Sequence, residues 1–166
     1  MPANKADYVS PAGDGMAIVF PSKNKRINSF DRSILTALNL AIHLHTKLSE
    51  YNKSLRSLDM IGVRIGISSS EILVIEDILG NRVHSGEGMV MAYRIMEIGE
   101  WSHILLSSRV GKNLAKYGPK QYRQWVHPIG RYQIKHGVKD DVWSFYNADY
   151  ENPFGNKDKP NLHKKI

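Results

Sequence analysis

Two short apolar segments open the patterned part of the chain. Tyr8-Val9 and Met16-Ala17-Ile18-Val19-Phe20 flank the cluster Ser10-Pro11-Ala12-Gly13-Asp14-Gly15. Apolar runs on either side of a Pro/Gly/Asp cluster predict a β-hairpin with Asp14 near its tip. Residues 21–29 read as a charged loop. Over residues 30–51, Ile34, Leu38, Ala41 or Ile42, His45 and Leu48 recur every three or four positions, which predicts an amphipathic helix. Ser29 or Asp31 is available as its N-cap. Farther on, Ile61, Val63, Ile65 and Ile67 alternate with Gly62, Arg64 and Gly66, the pattern of a strand with one buried face. Residues 71–75 read as the neighbouring strand. A glycine-containing loop over 80–88 leads into a second helix, whose stripe is Met89, Ala92 and Met96, joined by Val90 and Ile95, and Gly99 can end it. Residues 103–106 predict a short strand, and Ser107 or Ser108 caps a third helix that ends near Tyr117-Gly118. Strands are expected over 122–126, 132–135 and 142–146.

The resulting order, ββ-α-ββ-α-β-α-βββ, predicts an α+β sheet covered on one face rather than a doubly wound sheet. It occupies residues 1–147 and leaves 148–166 as a polar C-terminal tail. A length of 166 residues suits one domain with one core, and 42% apolar residues can fill it. No apolar run could span a bilayer. No signal-like segment follows Met1, and there are no cysteines. Both features fit a cytoplasmic protein, and the second removes disulfides and thiolate metal sites.

Charge widens the choice of partners without fixing one. Lysine and arginine number 23 against 16 acidic residues, a net charge of +7. Such a surplus suits nucleic acid, anionic lipid or phosphate-bearing metabolites. Nucleic acid is not expected, because no aromatic residues interleave with the basic ones in a stripe. Part of the charge lies in the tail, at Lys157, Lys159, Lys164 and Lys165. Gly13-Asp14-Gly15 does not meet the dinucleotide fingerprint, and the absence of Gly-Lys-Ser/Thr excludes a P-loop.

Three residues carry candidate chemistry, each with an ordinary alternative. Asp14 offers a hard oxygen ligand to a divalent ion, or completes a turn. Arg94 can stabilise charge on a phosphoryl group, or pair at the surface with Glu87 or Glu97. Lys135 can bring a mobile positive charge to a phosphate, or be one exposed lysine among many. His43 and His45 diverge on their helix, Glu76-Asp77 reads as a solvated acidic pair, and His84, His103, His127 and His136 show no ligand spacing. Trp101, Trp125 and Trp143 read as packing at the edges of a core.

Four stretches together resemble the catalytic domain of class III adenylate/guanylate cyclases. They are Gly13-Asp14-Gly15-Met16-Ala17-Ile18-Val19-Phe20; Val63-Arg64-Ile65-Gly66-Ile67; Gly86-Glu87-Gly88 through Ala92-Tyr93-Arg94-Ile95-Met96, Gly99 and His103-Ile104-Leu105-Leu106-Ser107; and Gly130 with Ile134-Lys135-His136-Gly137-Val138. The resemblance implies a ferredoxin-like twisted sheet and a head-to-tail homodimer with active sites at its interface. There the 3′-hydroxyl of a nucleoside triphosphate attacks the α-phosphate, releasing pyrophosphate and a 3′,5′-cyclic nucleotide. It makes Asp14 the second of two aspartates that hold Mg2+ or Mn2+, Arg94 the catalytic transition-state arginine, and Lys135 the substrate-binding lysine that grips the triphosphate.

The same resemblance marks departures. Val90 stands where relatives place a ribose-orienting asparagine, and valine makes no side-chain hydrogen bond; read from the residues alone, Val90 is one more core position. Ser10 and Val83 stand where relatives select the base, and Ser70 replaces a common glycine. The family's first strand, which carries the partner aspartate, and the two helices after it are expected to be lacking, since only six residues precede Asp7. The expectation is therefore a cyclase-like domain of cyclic-nucleotide signalling with little or no turnover by this chain. The alternative is a non-catalytic module that dimerises or binds nucleotide.

Overall fold

The computed structural model describes residues 6–22, 29–135 and 138–146, with Lys135 described by its backbone. Strands β1 (Tyr8–Ala12) and β2 (Gly15–Val19) pair antiparallel, Ala12 opposite Gly15, around a two-residue turn at Gly13-Asp14. Gly13 has φ +62°, a left-handed conformation in which a side chain is strained and glycine is not. Helix α1 (Arg32–Asn52) follows, and Asp31 is its N-cap, accepting from the Ser33 backbone N–H at 3.0 Å. Its buried stripe is Ile34, Leu38, Ala41 and His45, as the periodicity predicts. A side chain from a distant helix fixes the way in: Asn113 accepts from the Asp31 N–H at 3.3 Å and donates to the Ser29 carbonyl at 3.1 Å.

The central sheet has four strands in the order β3 (Ile65–Ile67), β6 (Ile104–Leu106), β8 (Val138–Phe145) and β7 (Val126–Lys135). β3 and β6 run parallel, and the other pairs are antiparallel. Both faces are covered, which corrects the one-sided layer read from the sequence. Because side chains alternate along a strand, Ile104 and Leu106 face one core while Leu105 faces the other. The first core joins Ile34, Leu38 and Ala41 of α1 to Val110 and Leu114 of α3 (Ser108–Tyr117). The second joins Ile95 of α2 (Glu87–Met96) and Ile98 to Tyr132 and Val142. A buried Leu or Ile contributes about 1.5–3 kcal/mol, so each face needs its helix to be stable. Helix α2 lies directly on β3: a Cβ on Gly66 would overlap the Ala92 carbonyl oxygen.

Several predicted elements differ from the structure, each for a local reason. The strand expected from Ile61 begins only at Ile65. Ahead of it, the fully buried Asn52 takes both backbone groups of Ile61, accepting from its N–H at 2.9 Å and donating to its carbonyl at 2.7 Å. The Val63 carbonyl is likewise taken by the Ser102 N–H at 2.8 Å. Residues 71–75 do not supply a neighbour for β3. Instead β4 (Leu73–Glu76) pairs antiparallel with β5 (Arg82–Ser85), a strand lying inside the stretch read as a loop. Asp77 builds the connecting turn, accepting from the Leu79 and Asn81 N–H groups at 2.8 Å; these bonds, Asn81's foremost, hold its carboxyl below its ordinary range. The strand expected over 122–126 is instead the helical turn α4 (Lys120–Arg123) behind Pro119, and β7 is one strand from Val126 onward. β8 likewise begins at Val138, well before residue 142. At α3, Ser107 occupies the N-cap position without a side-chain bond, and the Asp140 carboxylate of β8 accepts from the Ser108 N–H at 3.4 Å. Among the described residues, no helix is long and apolar enough to cross a membrane. The tail 148–166 lies outside the described residues.

Candidate functional site

Asp14 stands at the tip of the β1–β2 hairpin, exposed, with no hydrogen bond or ion pair among the described residues. The tight turn explains its place: Gly13 takes the left-handed conformation and leaves the Asp14 carboxylate pointing into solvent. Arg94 lies in the last turn of α2, half-buried, and forms no ion pair with Glu87 or Glu97. Its neighbour Ile95 is fully buried and packs in the same core as Tyr132, with Ile134 against it, so α2 is fastened close to the strand that ends in Lys135. The Lys135 backbone, at the end of β7, pairs with Val138 at the start of β8.

The structure thus places Arg94 and Lys135 on packed neighbouring elements and Asp14 on a separate hairpin. No hydrogen bond or ion pair joins Asp14 to Arg94. Val90 is 45% exposed, not a core residue as its chemistry suggested. With Tyr93, Arg94 and Glu97 it forms the outward face of α2 at i, i+3, i+4 and i+7, opposite the buried Gly88 and Ile95. An exposed valine cannot orient a sugar by hydrogen bonding, although its position on that face is accessible.

A divalent ion needs oxygen ligands. Among the described residues, no group of three or more His, Asp or Glu side chains could hold one. The single carboxylate of Asp14 is nevertheless a suitable partner for Mg2+ or Mn2+ that arrives with a triphosphate, since such ions keep most of their shell from phosphate and water.

Two interactions escaped the sequence reading because they join distant residues. His84 on β5 is buried, and its Nε2 lies 3.0 Å from Asp7 Oδ2. Its ring stacks on Tyr8 with centroids 4.4 Å apart. His45 and His103 are also both buried, near enough that His103 opposes charging of His45. Histidine spacing in the sequence carries no hint of either grouping.

No protein-family model and no curated protein sequence matches the chain. Solved structures do. An adenylate/guanylate cyclase/hydrolase from Silicibacter pomeroyi superposes with a TM-score of 0.60 at 22% identity, over 82% of this chain and 69% of that one. The adenylyl cyclase CyaB from P. aeruginosa gives 0.62 at 11% identity, over 87% and 74%. The chain has the fold of a class III nucleotidyl cyclase catalytic domain. A guanylate cyclase domain from Catenaria anguillulae, solved in complex with GTP, gives 0.50 at 14% identity, over 75% of this chain and 64% of that one. In this fold, hairpin β1–β2 carries Asp14, α2 carries Arg94, and the end of β7 carries Lys135.

Proposed function

We propose that this cyclase-like domain serves cyclic-nucleotide signalling by binding a nucleoside triphosphate, with little or no turnover by this chain alone. The observation that carries the reading is the split inventory of the site. Cationic Arg94 and Lys135 sit on packed neighbouring elements, whereas the metal-binding side has the lone, exposed carboxylate of Asp14. Arg94 would neutralise charge building on the transferring phosphoryl group as a fixed cation with several donors. Lys135, together with Arg94 of the same chain, would grip the triphosphate across the dimer interface. Asp14 would hold Mg2+ or Mn2+ delivered with the triphosphate, which supplies charge neutralisation at the phosphates. One carboxylate holds such an ion weakly, and Val90 leaves the ribose unoriented; lost positioning of this kind typically costs about a hundredfold in rate.

Affinity should follow charge more than base identity. Ser10 and Val83 offer little fixed hydrogen bonding, and charge attraction scarcely distinguishes one base from another. The test incubates the full chain with ATP, GTP, CTP and UTP plus Mn2+, with chromatographic detection of product and calorimetric titration of binding. The expected result is weak, salt-sensitive and nearly equal binding with no cyclic product. Cyclic nucleotide formed at about one turnover per second, within the ordinary enzyme range, would overturn it.

A homodimer belongs to the same reading. The β4–β5 hairpin exposes Leu73, Val74 and Ile75, and its turn carries Ile78 and Leu79, which are 101% and 79% exposed. A contiguous apolar arm of this kind is unusual on a monomer and marks an association surface.

A further inference from the structure

From Trp101 to Lys139 the chain holds eight lysines and arginines and no aspartate or glutamate. The other 15 lysines and arginines are balanced by 16 acidic residues, so the whole positive surplus belongs to this stretch. The fold gathers much of it on one face. Arg109, Lys112 and Lys116 fall at i, i+3 and i+7 of α3, on the exposed side opposite the buried Val110, Gly111 and Leu114. Arg131 of β7 joins them, because Asp141 of β8 stands between it and α3, 3.3 Å from Arg131 Nε and 3.9 Å from Lys112 Nζ. α4 packs against α3 and adds the exposed Lys120 and Arg123. Among the described residues, Arg109, Lys116, Lys120 and Arg123 have no ion pair.

What this face lacks narrows its partner. Among the described residues, no large apolar side chain between positions 102 and 137 is exposed, so the face has no apolar centre of the kind that protein interfaces bury. Its aromatic residues are drawn inward as well. Tyr122 donates from its hydroxyl to Asn39 Oδ1 at 2.7 Å and, with Trp125, packs against the first core. Lys116 Nζ lies over the Tyr117 ring, 5.0 Å from its centroid. None of the three is exposed, so unpaired bases would find no stacking platform. The cations are spread over α3, α4 and β7 instead of following one line. A fixed two-dimensional array suits a planar surface of anionic headgroups, which diffuse sideways to meet it; a duplex offers only two fixed rows of phosphates. We propose that the α3–α4–β7 face docks this domain on an anionic phospholipid bilayer, by charge and without insertion. Because α3 and α2 pack into cores on opposite sides of the sheet, a docked domain keeps the outward face of α2 away from the lipid. The proposal is independent of the roles given to Asp14, Arg94 and Lys135.

Co-sedimentation of the full chain with vesicles tests the proposal, using phosphatidylcholine alone and an equimolar mixture with phosphatidylserine. Binding is expected to the mixture only, at about 0.1 M salt, and to vanish near 1 M, where charges are screened within about 3 Å. Each basic residue near such a surface is worth about fivefold, so Arg109→Ala with Lys112→Ala and Lys116→Ala should weaken binding about a hundredfold. Asp141→Asn, which removes the carboxylate between Lys112 and Arg131, should tighten it about fivefold. Lys53→Ala with Arg56→Ala and Arg64→Ala removes the same charge from exposed positions elsewhere and should cost less than about fivefold. The same limit applies to glutamine at Lys157, Lys159, Lys164 and Lys165. All these positions that lie among the described residues are at least partly exposed, and unchanged thermal unfolding confirms that the variants fold. Failure to bind the mixed vesicles overturns the proposal. So does an equal loss in the Lys53, Arg56 and Arg64 variant, which assigns binding to net charge, or a full loss in the tail variant. Fluorescence anisotropy with a short DNA duplex at the same salt closes the comparison: tighter binding to the duplex, lost in the α3 variant, overturns lipid in favour of nucleic acid.

Discussion

His45 is the residue whose burial has the plainest energetic consequence. It lies on the inward stripe of α1, 3% exposed, and burial first and His103 second lower its pKa from 6.5 to about 4. The sign follows from proton linkage. The unfolded chain takes up a proton near pH 6.5 and the folded one resists until about pH 4, so this contribution to stability is complete above pH 6.5 and is lost as pH falls between the two values. The loss amounts to about 2–3 kcal/mol by pH 4.5. Urea unfolding at pH 7 and pH 4.5 should show it, and His45→Met should flatten the dependence by that amount; an unchanged profile in the variant would count against the account. At this scale the sequence was uneven in what it disclosed. The stripe containing His45 was legible because helical periodicity is local. The Asn52–Ile61 clasp, the Asn113 clasp and the Asp7–His84 bond were not, because a single polar residue gives no sign of which distant backbone or side chain it will meet.

At the scale of elements, β3 and α2 show why close approach decides placement. Gly66 gives the Ala92 and Met96 backbone the room to rest on the sheet. Gly66→Ala should push α2 outward, costing about 1–3 kcal/mol as overpacking does and shifting Arg94 with it. Thermal unfolding together with ATP titration checks this: lower stability and weaker binding are expected, and wild-type values for both would refute it. Long periodic segments were read correctly, as α1, α2 and α3 demonstrate. The misreadings fell on short apolar runs. Residues 71–75 found a partner in β5 rather than β3, and 120–123 coiled into a helical turn behind Pro119, because a few residues of apolar sequence fit either outcome and tertiary contacts choose. The pair of covered faces was equally hidden, since strands of three residues are too brief to display two buried sides.

For the whole molecule, the exposed apolar arm on β4–β5 predicts concentration-dependent self-association. Light scattering at about 100 µM should report a dimer, and Ile78→Asp with Leu79→Asp should shift it toward monomer by mass action. A wild-type chain that stays monomeric at that concentration would contradict the dimeric reading. The cyclase fold and the order of its motifs were legible in the sequence because four patterned stretches occur in sequence order; whether their side chains converge on one ligand depends on contacts between hairpins, which no local pattern encodes.

The mixed direction of the central sheet has a further consequence, for the order in which chain entropy is surrendered. β7 and β8 are separated by two residues and pair antiparallel, so their ribbon closes a small loop. The parallel pair of β3 and β6 must bring Ile65 beside Ile104 across the whole β4–β5–α2 excursion. With each doubling of loop length adding about 0.6 kcal/mol, that closure is more costly by about 2–3 kcal/mol. β3 repays it with only three paired residues and the weight of α2 on Gly66. The sheet is therefore graded, firm along the β7–β8 ribbon and most loosely held at β3, so that whatever steadies α2 also steadies the sheet's far edge.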